Sequence, residues 1–337
     1  FDSSLKEERD NNIKVKRTVV YCKDTTALVE YLSTKRGFKK EIDIMTKVGI
    51  DQGGDFLKIC LNLEEENNDA EEPTKKKFSY SNGASSDNFK NSGVKKLIVL
   101  ALVEEVCENY NNLDLILNLL GIKELPCVHA FDMKLANSFL GLGACSSTYP
   151  CPWCDKPKKE FAKEMLKGGK PRILGEICKY SKLYQEAVSK HKGKNKLSSA
   201  EFFNCEHEPL CSASDSTTVL SLIPPMELHF LLGIVNLLYD LLDKLFVANE
   251  FTLRAKVWSD KIGAKRPKQH GGQFKGYQCS SLLNNLHKLD ELLNSETECM
   301  DVRDVVETLQ AFNEVKKSCF GQTVADDYKM SISKFAE

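Results

Sequence analysis

Asp132 stands at the end of an apolar run and is followed, nineteen and twenty-two residues on, by Cys151 and Cys154 in Ser147-Thr-Tyr-Pro-Cys-Pro-Trp-Cys154-Asp155. A carboxylate takes hard cations, whereas two thiols at Cys-x2-Cys spacing can share one tetrahedral ion. Pro150 and Pro152 restrict the backbone around Cys151, and Trp153 supplies apolar cover. A structural Zn2+ needs two further Cys or His ligands, so the pair is half a site. The same residues suit two buried reduced thiols or a redox dithiol, and all three readings stand at this level.

A second acidic motif lies upstream in Asp51-Gln-Gly-Gly-Asp55. Asp51 and Asp132 at neighbouring strand ends would bind two Mg2+ or Mn2+ ions, the arrangement used for phosphoryl transfer. For either residue alone, capping a turn or helix is the ordinary role. Glu227, in Pro-Pro-Met-Glu-Leu-His229, is a weaker candidate for a third carboxylate, since a helix N-terminal Glu ordinarily serves the dipole. Cys205-x-His207-x3-Cys211 has ligand types that could complete a zinc set.

The elements around these residues follow from apolar periodicity and turn chemistry. Strands are expected over 18–21, 43–50, 56–63, 94–103 and 125–131, with the turn at 51–55 making the second and third a hairpin. Helices are expected over 25–34, stopping near Gly37, over 112–120, stopping at Gly121, and over 133–142. A short strand over 219–223 precedes Pro224-Pro225, a core helix spans 228–245, and amphipathic helices fill 251–337 around a loop at 266–276. This order divides the chain into a lead-in over 1–42 and the first part of an α/β core over 43–155, with a polar insertion over 64–93. A basic helical insertion over 156–215, a core strand and helix over 216–246, and a helical insertion over 247–337, incomplete at its C-terminal end, follow.

Lys and Arg number 47 against 48 Asp and Glu, so overall charge neither favours nor excludes nucleic acid and any such surface must be local. Residues 156–196 hold thirteen Lys or Arg against four Glu, with aromatics between them, a composition suited to a phosphate backbone or to a solvated helical face. The DNA contacts expected are Lys156, Lys158, Lys159, Lys163, Arg266, Lys268 and His270, the last beside glycines that let a phosphate approach. Thirteen scattered cysteines point to a reducing, intracellular compartment, and no apolar run reaches membrane-spanning length.

The array Asp132-x-Lys134-Leu135-x5-Gly141-Leu142-x6-Tyr149-x-Cys151-x2-Cys154-Asp155 resembles the segment around the second catalytic aspartate of the V(D)J recombinase catalytic subunit and the related Transib-type transposases. Asp51-Gln-Gly-Gly-Asp55 is similar to that family's first acidic motif, and Leu228-His229-x3-Gly233 to a later helix start. Together they span roughly residues 43–240. The resemblance implies an RNase H-like mixed sheet core, with Asp51 and Asp132 as the first two members of a DDE triad that holds two Mg2+ or Mn2+ ions. It implies a structural Zn2+ on Cys151 and Cys154, double-stranded DNA as partner (transposon ends and target), homodimerisation of the complete protein and a nuclear location. It further implies a His-x4-His zinc pair and a downstream glutamate. The six histidines contain no such pair, so both elements are expected beyond Glu337, in a longer protein.

Overall fold

The structure, a computed structural model, describes residues 16–38, 44–53, 55–65, 96–161, 163, 167–193, 195–248, 252–266, 272–293, 300–320 and 324–336. Its centre is a hairpin of two ten-residue strands, β2 (Ile44–Gly53) and β3 (Phe56–Glu65), antiparallel from Ile44 opposite Glu65 to Gly53 opposite Phe56. Alternation sends Val48 and Ile50, with Leu57, Ile59, Leu61 and Leu63, to one buried face. Around the hairpin lie β1 (Val19–Tyr21), β4 (Ile98–Glu104) and β5 (Cys127–Ala130), giving a five-stranded sheet in the order β1-β4-β3-β2-β5. Neighbouring strands are antiparallel except β5, which runs parallel to β2, so the protein has a mixed α/β architecture.

Helices close the inner face. In α1 (Thr25–Lys35) the Asp24 carboxylate caps the Ala27 amide, and Gly37 follows in the left-handed region at φ 72°. In α2 (Tyr110–Leu120), capped by Asn109, Leu113, Ile116, Leu117 and Leu120 recur on one stripe and are all buried. The helix stops at Gly121, φ 64°, where a side chain would be strained. After β5 come α3 (Met133–Phe139), α4 (Lys158–Phe161), α5 (Leu174–Lys190) and α6 (Val219–Leu222).

The chain forms two compact units, Phe1–Pro225 and Met226–Glu337. The second contains helices α7 (Glu227–Ala248), α8 (Thr252–Lys261), α9 (Gly276–Asn284), α10 (Leu286–Leu293), α11 (Met300–Cys319) and α12 (Tyr328–Ala336) around its own core of Val235, Leu242, Trp258, Leu282, Val302, Leu309 and Phe312. Among the described residues no helix is long and apolar enough to cross a membrane.

Four expectations of the fold need correction. Residues 219–222 form a helical turn instead of a strand: the Thr218 hydroxyl accepts from the Ser221 amide at 3.3 Å, and Val219 and Leu222 are buried. A four-residue apolar run fits a buried strand as well as a buried turn, and the Thr cap decides between them. Asp51, Gln52 and Gly53 continue β2 instead of forming a turn, and the strand reverses only after Gly53. Helix α3 ends at Phe139, short of residue 142, because Gly141 turns the chain at φ 67°. The segment 216–246 is divided at Pro225, with its helix in the second unit. The polar insertion over 64–93 lies outside the described residues beyond Glu65.

Candidate functional site

Parallel pairing of β2 with β5 runs from Thr46 opposite Cys127 to Gly49 opposite Ala130. Two residues further along each chain stand Asp51 and Asp132. Asp51 lies within β2 on the face of Gly49, whereas Asp132 follows β5 as the N-cap of α3, so both stand just past the last paired residues, at the C-terminal end of the strand pair. The alternation holds to that edge, with His129 and Phe131 buried on the opposite face and Asp132 half-buried.

Their surroundings differ. Asp51 is exposed opposite Lys58 on β3. A Cβ on Gly53 would sit 3.2 Å from the Lys58 Nζ and 3.5 Å from the Asp51 Oδ2, so a glycine here leaves room for both charged groups. Asp132 caps α3, with its Oδ1 accepting from the Leu135 amide at 2.7 Å. The capping role open to it from sequence is therefore real, and it occupies one oxygen only. A third acid, Glu108, which the sequence did not single out, stands in the loop before α2. Its Oε1 accepts from the Gln52 amide at 3.1 Å and its Oε2 from the Lys134 Nζ at 3.0 Å. A loop acid next to a helix cap carries no sequence signal that separates it from any other.

A hard cation such as Mg2+ is commonly held by one or two carboxylates, with waters and substrate phosphates completing the shell, and Asp51 and Asp132 are ligands of that type. Glu227 is the exposed first residue of α7 in the second unit, placed to serve that helix's dipole. Among the described residues no three His, Cys, Asp or Glu side chains converge to hold a metal.

The knuckle is built quite differently. Burial first, and the neighbouring Cys154 second, push the Cys151 thiol up to about 11. At neutral pH it is therefore protonated, which disfavours a redox nucleophile and means that a metal would have to displace protons. Beneath it lies Arg172, 4% exposed. Its Nε donates to the carbonyls of Cys151 and Cys154, at 3.1 Å each, and its Nη2 to that of Phe203 at 3.1 Å. The Trp153 indole donates to Ile223 O at 2.6 Å, and the Asn137 amide to Pro150 O at 3.0 Å.

The weaker zinc candidates scatter around this frame. Cys205 is buried with its sulfur 3.9 Å from the Arg172 Nη1, and burial holds its thiol up to about 11. The His207 ring stacks on Tyr110 at 4.3 Å. Burial and the nearby Cys127 push Cys211 up to about 12. Among the described residues no second pair of Cys or His converges on Cys151 and Cys154.

Of the proposed DNA contacts, Lys158, Lys159 and Lys163 are exposed. Lys156 is corrected: it is 5% exposed, with its ammonium donating to Lys167 O and lying 5.3 Å from the Phe161 ring centre. Arg266 is corrected likewise, pairing with Asp240 at 2.7 Å while its guanidinium lies 4.6 Å from the ring centre of Tyr239 and 4.8 Å from that of Phe274. Lys268 and His270 lie outside the described residues. Within 156–196, Lys170, Lys182 and Lys196 pair at the surface with Glu176, Glu208 and Glu206, which offsets part of the local positive excess. No protein-family model matches the chain, and no curated protein matches it.

Proposed function

We propose that this chain is the core of a DDE-type transposase or recombinase that cleaves double-stranded DNA and transfers the freed strand. The observation that carries the reading is that Asp51 and Asp132 each stand two residues past the last paired positions of the adjacent parallel strands β2 and β5. The sheet supports it too. Three consecutive antiparallel strands, β2 to β4, precede a strand that returns parallel to the first, the arrangement expected of an RNase H-like core.

In this reading Asp51 and the free Oδ2 of Asp132 hold Mg2+ or Mn2+, which would activate the attacking oxygen and stabilise the leaving one. The chain's own part is placement. The hairpin register fixes Asp51, the α3 cap fixes the rotamer of Asp132, and exposed Lys158, Lys159 and Lys163 supply phosphate contacts. Cys151 and Cys154 are a zinc half-site whose partner ligands, like the third carboxylate, are outside the described residues. Transposon-end and target duplexes, a second copy of the chain and a nuclear setting belong to the same reading.

The test is Mn2+-dependent nicking of labelled duplex DNA by the full-length protein. Asp51→Asn and Asp132→Asn each abolish it with unfolding midpoints unchanged, since Asn at 132 keeps the cap acceptor. Nicking that survives in both variants rejects the assignment.

One observation favours a second reading, a catalytically inactive, transposon-derived, zinc-containing DNA-binding protein: Asp132 already has a structural task as the cap of α3. DNA binding that is steep in salt and indifferent to divalent metal would select it.

A further inference from the structure

Glu108 links the two strand ends through one carboxylate. Its side chain is 9% exposed, and its two oxygens take different partners: the amide of Gln52, adjacent to Asp51, and the ammonium of Lys134, two residues past Asp132. Gln52 is held a second time through its side-chain amide, which donates to Val106 O at 3.2 Å. The loop from Val106 to Glu108 therefore grips the end of β2 by backbone and by side chain, and reaches the start of α3 through one ion pair.

The charge placement is as telling as the geometry. Lys134 is 66% exposed, and its ion pair brings its ammonium to the same carboxylate that accepts the amide next to Asp51. A buried carboxylate is a stronger competitor for an ammonium than a solvated one, because the attraction is less screened. We propose that Glu108 is a positioning residue of the Asp51/Asp132 pair, anchoring the Gln52 peptide and holding the Lys134 ammonium off the two carboxylates so that they stay open to a divalent cation. This rests on the strand-cleavage reading above, in which the pair holds that cation.

The experiment is Mn2+ titration of the chain, followed by electron paramagnetic resonance of the free ion, for wild type, Asp51→Asn, Glu108→Gln, Lys134→Met and the Glu108→Gln/Lys134→Met double variant. Glu108→Gln keeps an acceptor for the Gln52 amide but loses the charge that retains Lys134. It is expected to weaken Mn2+ binding about tenfold or more, the usual effect of removing a group that orients metal ligands. Adding Lys134→Met restores most of the lost affinity, which a fold defect would not allow. Glu108→Gln binding within about twofold of wild type, while Asp51→Asn abolishes it, overturns the role of Glu108 and leaves the strand-cleavage reading standing. A double variant as weak as Glu108→Gln alone also overturns it. Absence of wild-type binding, or binding indifferent to Asp51→Asn, overturns both.

Discussion

The strand-end aspartates and the cysteine knuckle are built in opposite ways. The knuckle is held from beneath by a buried guanidinium that satisfies three carbonyls, with an indole and an amide bracing its flanks. The aspartates stand at a polar edge, one exposed and the other committing a single oxygen to a helix cap. The difference shows which groups a fold leaves free. Where side chains are tied into a buried network, a substitution is felt as stability, and where a carboxylate is half-used, it is felt as chemistry.

The comparison can be broken most severely at Arg172. Arg172→Met strands three carbonyls, and urea unfolding is expected to show a loss of about 3 kcal/mol or more; a loss below about 1 kcal/mol would mean that the knuckle does not depend on this residue.

Acid should act on the core beneath the aspartates. Burial lowers His129, 2% exposed, to about 3. A folded value below the unfolded one, near 6.5, means that stability is present above pH 6.5 and drains as pH falls towards 3. The slope is at most about 1.4 kcal/mol per pH unit, and His129→Leu should flatten it in urea midpoints measured across that window.

At the strand ends the expected effects are smaller. Asp132→Ala should destabilise by about 1 kcal/mol through the lost cap, whereas Asp51→Ala should change the urea midpoint by less than about 0.5 kcal/mol. Equal losses would erase the distinction drawn between the two aspartates. Smallest of all, replacing exposed Lys158, Lys159 or Lys163 by Ala should lower the slope of log K for DNA against log salt by about 0.9 for each phosphate no longer neutralised. Lys156→Ala should leave that slope alone and lower stability instead.

Much of this architecture was legible from one dimension. The hairpin could be read from two aliphatic runs flanking a Gly-rich turn, the stop of α2 from Gly121, and the long helix α7 from its continuous apolar period. All three are local properties, and the structure agrees on them to within a few residues at each end. Illegible were the features that depend on a distant partner. Lys156 and Arg266 read as phosphate contacts because their charge is visible and their burial is not. Arg172 was one base among thirteen in a positive segment until the carbonyls of Cys151, Cys154 and Phe203 gathered around it. Residues 219–223 were misread because four apolar positions hold about one helical turn, too few to separate a turn from a strand.

The sequence by itself determined which residue types stand where: carboxylates at two strand ends, a thiol pair between prolines, and the strand and helix periods between them. Those follow from nearest-neighbour chemistry, the alternation of a strand and the stripe of a helix. Only the tertiary structure decided that β5 returns parallel to β2 and brings Asp51 and Asp132 to one edge, since parallel pairing joins segments about eighty residues apart across an intervening hairpin, strand and helix. It also decided which charges remain at the surface, because a charge is free only where folding has left it without a buried partner.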